Sequence, residues 1–141
     1  DEDQNGEFVG YHGTTSLFAN SIIEGVIQIP TTPANQLQLG LGFYVDTSLI
    51  NAEFWAQEKS DLVGGEPIVL QVWSTDFDSL TVYNATRNDW WTGKNFFGFD
   101  IVSSPYDLDP PRNAPTGIVP PEPMSPQLKF NFPFRTLYVT R

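Results

Sequence analysis

Proline decides where this chain cannot be regular. Eight of its twelve prolines fall within residues 103–126: Pro105, Pro110, Pro111, Pro115, Pro120, Pro121, Pro123 and Pro126. Each fixes φ and removes an amide donor, so neither a helix nor a paired central strand runs through that stretch. A Pro-rich loop of this length inside a compact domain reads as functional or mobile. With 141 residues the chain suffices for one domain. That domain is expected over residues 7–141, after a disordered N-terminus at 1–6 and with the Pro-rich loop at 103–126.

Outside the loop the pattern is strand, helix, strand, helix, then strands. Glu7 to His12 alternates and is rich in β-formers. Gly13-Thr14-Thr15-Ser16 supplies turn and N-cap residues, and Leu17, Phe18, Ile22 and Ile23 follow at helical spacing to a C-cap at Gly25. This predicts a short helix packed on the first strand. Ile29 to Gln38 reads as loop and Leu39 to Val45 as a Gly-punctuated strand. Asp46-Thr47-Ser48 opens a second helix running to about Lys59. Pro67 to Trp73 is the strongest strand signal. Leu80–Tyr83, Phe99–Val102, Gln127–Phe132 and Arg135–Thr140 are further strands, and Trp90-Trp91 with Phe96-Phe97 forms an aromatic-rich loop or short helix. The fold class is α+β.

Charge and missing residue types remove whole classes of function. Seven Lys and Arg against seventeen Asp and Glu give a net charge of −10. Such a chain repels phosphate backbones, so no nucleic-acid or anionic-membrane partner is expected. Zero Cys removes zinc fingers, disulfide frameworks and thiol nucleophiles together, and a single His, His12, argues against a multi-His metal site. No metal is expected. No stretch approaches the length needed to span a bilayer. The start at Asp1-Glu2-Asp3, without a signal peptide, suits a mature product, and the sequon Asn84-Ala85-Thr86 is compatible with a secreted, extracellular protein.

Three local features can carry chemistry. Tyr11-His12-Gly13-Thr14 stands where a strand meets a turn, presenting a ring and adjacent backbone N–H groups. Alone, it reads more readily as local capping. Tyr44, in Gly42-Phe43-Tyr44-Val45, precedes Trp55 by eleven residues. A strand followed by a helix can set these rings face to face around a planar cation, at about 0.5–2 kcal/mol each, although ordinary core aromatics give the same pattern. Gln127 opens a strand just after the Pro-rich loop, where its amide is able to bond a sugar hydroxyl or simply face solvent.

Taken together, these motifs resemble the catalytic domain of ADP-ribosyltransferase toxins of the diphtheria toxin, exotoxin A and cholix toxin group. Those domains open with a Tyr-His-Gly-Thr strand, and the exotoxin A branch matches Phe8-Val9-Gly10-Tyr11-His12-Gly13-Thr14 in full. Their second motif is similar to Gly42-Phe43-Tyr44, with a second Tyr eleven residues on, where this chain has Trp55. The third element is a Glu at the head of a late strand, and Gln127 stands there. Glu122, among prolines, is its rival. Related families carry Gln or Asp at that point and a stretch comparable to Asp100-Ile101-Val102-Ser103-Ser104-Pro105. The resemblance is strong over residues 7–60 and loose beyond.

The resemblance implies a split β-sandwich with two N-terminal helices and, as substrate, NAD⁺, whose nicotinamide–ribose bond is cleaved through an oxocarbenium-like transition state. It implies that His12 orients the adenosine-side ribose and that the Gly13 backbone meets the nicotinamide amide, with Thr14 closing the binding motif. Tyr44 and Trp55 would sandwich the nicotinamide ring, and Gln127 would bond its ribose. His12, Tyr44 and Gln127 form the expected catalytic set. Gln keeps the hydrogen bond of Glu and loses its charge, which costs about two to three orders of magnitude in rate. Three outcomes follow: a monomeric ADP-ribosyltransferase acting on a protein acceptor, as in a secreted toxin or effector; an NAD⁺ glycohydrolase using water; or an inactive fold that binds partners through its Pro-rich loop.

Overall fold

The computed structural model describes residues 6–25, 37–107, 119–132, 134 and 136–141. In chain order the elements are β1 (Gly6–Thr15), α1 (Ala19–Ile23), β2 (Phe43–Asp46), α2 (Leu49–Val63), β3 (Pro67–Thr75), β4 (Val82–Asn84), β5 (Ile101–Ser104), β6 (Gln127–Phe130) and β7 (Leu137–Thr140), with single 3₁₀ turns at Phe77–Ser79 and Arg87–Asp89. The fold is α+β. Among the described residues seven strands run in the order β4-β5-β6-β2-β1-β3-β7. All neighbours are antiparallel except β4 and β5.

The sheet has a seam. β1 and β3 pair along their whole length, from Gly6↔Thr75 to Thr15↔Pro67, but β1 and β2 are registered at one pair, Tyr11↔Asp46. On one side of it lie β4, β5, β6 and β2; on the other, β1, β3 and β7.

Side-chain alternation assigns each face its cover. Phe43, Val45, Leu70, Val72, Ile101 and Phe130 point to one face and pack with Val9, Val139 and, from α1, Ala19 and Ile22. On the other face Val102 joins Leu39, Ala85 and Trp90, with Tyr44, Tyr83, Trp91, Phe96 and Tyr106 packed around them. α2 lies over this second face against β1, approaching so closely that a Cβ at Gly13 would overlap the Ala52 carbonyl oxygen and sit 2.8 Å from the Ala56 nitrogen.

Several boundaries depart from the sequence expectations. Gly13, Thr14 and Thr15 are not a turn but the end of β1, because Pro67–Val69 offers them a full ladder. α1 starts at Ala19 with no side-chain cap, and it packs against β7 rather than principally on β1. α2 keeps its Ser48 N-cap, the hydroxyl accepting from Asn51 N–H at 3.2 Å, but runs one turn past Lys59 to Val63, stopped by Gly64 at φ 91°. Gly6 belongs to β1, while residues 1–5 of the expected disordered N-terminus lie outside the described residues. Ser103 and Ser104 belong to β5, and 108–118 of the Pro-rich loop lie outside the described residues. Of the aromatic run, Trp90 is buried and only Phe97 is strongly exposed, at 51%.

Candidate functional site

His12 stands at the seam. A continuous ladder would set it opposite Val45; instead its Nδ1 bonds the Tyr44 carbonyl oxygen at 2.7 Å, and its ring stacks on Phe43 with centroids 4.2 Å apart. The side chain thus replaces a main-chain ladder bond and ties the first motif to the second. With Nδ1 as donor, Nε2 is left as the acceptor. His12 is half-buried by exposed area, yet the protein around its ring desolvates it. Burial pushes its pKa down to about 4, the Tyr44 carbonyl opposes this, and the charge of Lys59 adds to it.

Gly13 is half-buried under α2, whereas Thr14 is fully buried with its hydroxyl bonded to nothing among the described residues. Tyr44 is held at both ends. Its hydroxyl donates to Gly40 O at 2.5 Å and accepts from Leu39 N–H at 2.9 Å, and burial raises its pKa. Lys129, registered beside Tyr44, secures the same loop. It is fully buried, and its Nζ donates to Leu41 O (2.9 Å), Asn95 O (2.5 Å) and Asn131 Oδ1 (2.6 Å). Desolvation lowers its pKa to about 8, since these three acceptors are neutral.

Gln127 heads β6, where its Cα partners are Asp46 on β2 and Ser104 on β5. Directly opposed residues share a face, so Gln127 and Asp46 project side by side toward α2. Both are 7% exposed. The Asp46 carboxyl hydrogen-bonds that of Asp107, which has no exposed surface. Trp55 Nε1 donates to Asp107 Oδ2 at 3.4 Å, and Asp107 N–H donates to Pro123 O at 2.9 Å. Burial and the neighbouring Asp107 charge push the Asp46 pKa up to about 9; burial also raises that of Asp107. Two hydrogen-bonded carboxyls this close hold one proton between them. Asn51 also hydrogen-bonds the Asp107 carboxyl, whereas Asp46 Oδ1 and Gln127 Oε1 are buried and bonded to nothing among the described residues.

Glu122, the rival of Gln127, sits against the start of α2. Its carboxylate accepts from the Ser48 hydroxyl, and its backbone is clamped by Asn51, which donates from Nδ2 to Glu122 O (2.6 Å) and accepts from Glu122 N–H at Oδ1 (2.8 Å). Glu122 therefore anchors the Pro-rich loop to the start of α2.

The structure brings Gln127 and Trp55 together through Asp46 and Asp107, and His12 and Tyr44 together through one hydrogen bond. It does not bring His12 to Gln127 on one face: His12 pairs with Leu70, and its face is that of the first apolar cluster. The rings of Tyr44 and Trp55 do not stack on one another; Trp55 meets Phe54 edge-on at 4.9 Å. Sequence reasoning missed Asp46, read only as a helix start, and Asp107, one of several acids in a Pro-rich run. The register Asp46↔Gln127 is the signal that exposes them, and it is a long-range one.

No protein-family profile matches this chain, and comparison with curated proteins gives no match. Among the described residues no three His, Asp or Glu side chains cluster as a metal ion requires, and no helix is long and apolar enough to cross a membrane.

Proposed function

We propose that the protein cleaves the nicotinamide–ribose bond of NAD⁺ as an ADP-ribosyltransferase-type enzyme. The observation that carries this reading is the hydrogen bond from His12 to the Tyr44 carbonyl, which joins Tyr11-His12-Gly13-Thr14 to Gly42-Phe43-Tyr44 across a seam in the sheet. Two further features support it. The single-pair join of β1 to β2 suits a sheet split into two halves, and the orphaned Gln127 Oε1 suits a bond from a ligand hydroxyl.

In this reading the dinucleotide spans the seam between β1 and β2, and on the face of the first apolar cluster His12 Nε2, held neutral and fixed in direction, accepts from a ribose hydroxyl. Tyr44 and Trp55 bound the planar ring. Gln127 accepts from the hydroxyl of the ribose that reacts. Lys59, whose Nζ lies 5.8 Å from the Phe18 ring centroid and whose charge reaches His12, is a cation on the His12 side of the site for a phosphate. The chemistry required of the site is modest: nicotinamide departs neutral from a cation, so orientation and stabilisation of positive charge suffice.

Water as the acceptor is a second reading, favoured by the buried carboxyl pair beside Gln127, since a carboxylate can take a proton from water. Measuring nicotinamide release from NAD⁺, in buffer and with a mixed protein lysate, separates the two. Release in buffer marks the glycohydrolase. Release or label transfer only with lysate marks the transferase. No release in either, with His12→Ala binding NAD⁺ as the wild type does, rejects both.

A further inference from the structure

We infer that Asp46 and Asp107 are a further pair of catalytic residues, supplying beside Gln127 the negative charge and the proton acceptor that an amide at the head of β6 lacks. The inference rests on the NAD⁺-cleaving reading and adds to it residues that no motif pointed to.

The geometry carries it. Asp46 is the Cα partner of Gln127, on the same face, and Asp107 bonds both Asp46 and the indole N–H of Trp55. The pair therefore lies between the amide proposed to hold the reacting ribose and a ring proposed to hold its leaving group. A purely structural carboxyl pair is expected to have its oxygens satisfied. Here Asp46 Oδ1 and the neighbouring Gln127 Oε1 are left without donors among the described residues, both buried, while Asp107 is held by Asp46, Trp55 and Asn51. Two neighbouring buried acceptors without a donor call for a ligand bearing O–H groups, as a ribose diol does, or developing positive charge. The raised pKa values of both carboxyls fit a pair that keeps one proton and carries one negative charge.

The step balances without another reagent. The C–N bond to nicotinamide breaks, and its electron pair goes to the ring nitrogen, so neutral nicotinamide leaves. The electron-deficient ribose carbon then bonds the oxygen of water. The proton of that water passes to the ionised carboxylate of the pair and on to solvent, leaving ADP-ribose. The charge of the pair opposes the positive charge on the ribose while it exists.

Either single substitution leaves one carboxylate able to ionise, so the informative variant is the isosteric Asp46→Asn/Asp107→Asn double. Nicotinamide release is measured for wild type, the double variant, and the double variant carrying Gln127→Glu. The expected result is a fall in kcat of at least about 100-fold in the double variant, with KM for NAD⁺ changed by less than about three-fold. Adding Gln127→Glu, which restores a carboxylate, is expected to recover at least about ten-fold. A wild-type kcat in the double variant overturns the pair and leaves the NAD⁺ reading standing. A loss that Gln127→Glu does not relieve assigns the pair a structural role and overturns it equally. Absence of release by the wild type itself, both in buffer and with the lysate, removes both readings.

Discussion

Lys129 shows how far one side chain can hold a site it does not belong to. Its ammonium is buried among three neutral acceptors, two of them main-chain carbonyls of the loops around Leu41 and Asn95. The first of those loops carries Gly40 and Leu39, the two partners of the Tyr44 hydroxyl. Replacing the amine with a methyl group of similar length strands the acceptors, and each stranded buried group costs about 1–3 kcal/mol. Lys129→Met is expected to lower stability by about 3 kcal/mol in urea denaturation and to broaden the aromatic signals of Tyr44. An unchanged midpoint would mean that water satisfies the carbonyls equally well. His12 makes the opposite use of burial: the cost of desolvation keeps its ring neutral, and the Tyr44 carbonyl aims it.

Among the elements, the contact of β1 with α2 is the tightest. Gly13 is required there by space: any side chain meets the backbone of Ala52 and Ala56, which has no rotamer to yield. Gly13→Ala is expected to cost about 3 kcal/mol or more, at the upper end of overpacking penalties, read as a lowered Tm. Because α2 also carries Trp55, and Asn51 on the same helix clamps the Pro-rich loop at Glu122, this one methyl should also weaken the proposed binding of NAD⁺. Ser48 has two tasks at the start of that helix, capping Asn51 N–H and holding the Glu122 carboxylate. Its hydroxyl joins the Pro-rich loop to the helix rather than merely ending the helix neatly.

At the scale of the whole molecule, the shifted groups give stability a recognisable pH profile. The fold excludes the proton that the unfolded chain adds to His12, so His12 contributes stability above about pH 6.5 that is lost as pH falls toward 4. Asp46 keeps its proton in the fold, so its contribution is present below about pH 4 and lost as pH rises through about 9. Lys129 gives up its proton early in the fold, so stability recovers from about pH 8 to the ordinary lysine value. Between about pH 6.5 and 8 Asp46 dominates these three, at about 1.4 kcal/mol per pH unit. Chemical denaturation across that window should show wild-type stability falling and Asp46→Asn nearly level; parallel curves would remove the shared proton. The same scale separates what was legible in the chain from what was not. Tyr11-His12-Gly13-Thr14, Gly42-Phe43-Tyr44, the Ser48 cap and the strand starting at Pro67 are local patterns, written in propensity and spacing, so sequence alone determined the α+β order and singled out His12, Tyr44, Trp55 and Gln127. Only the tertiary structure decided that Gly13 to Thr15 extend β1, that Glu122 is an anchor, and that Asp46 and Asp107 meet beside Gln127, because strand register and burial bring together residues that no local rule connects.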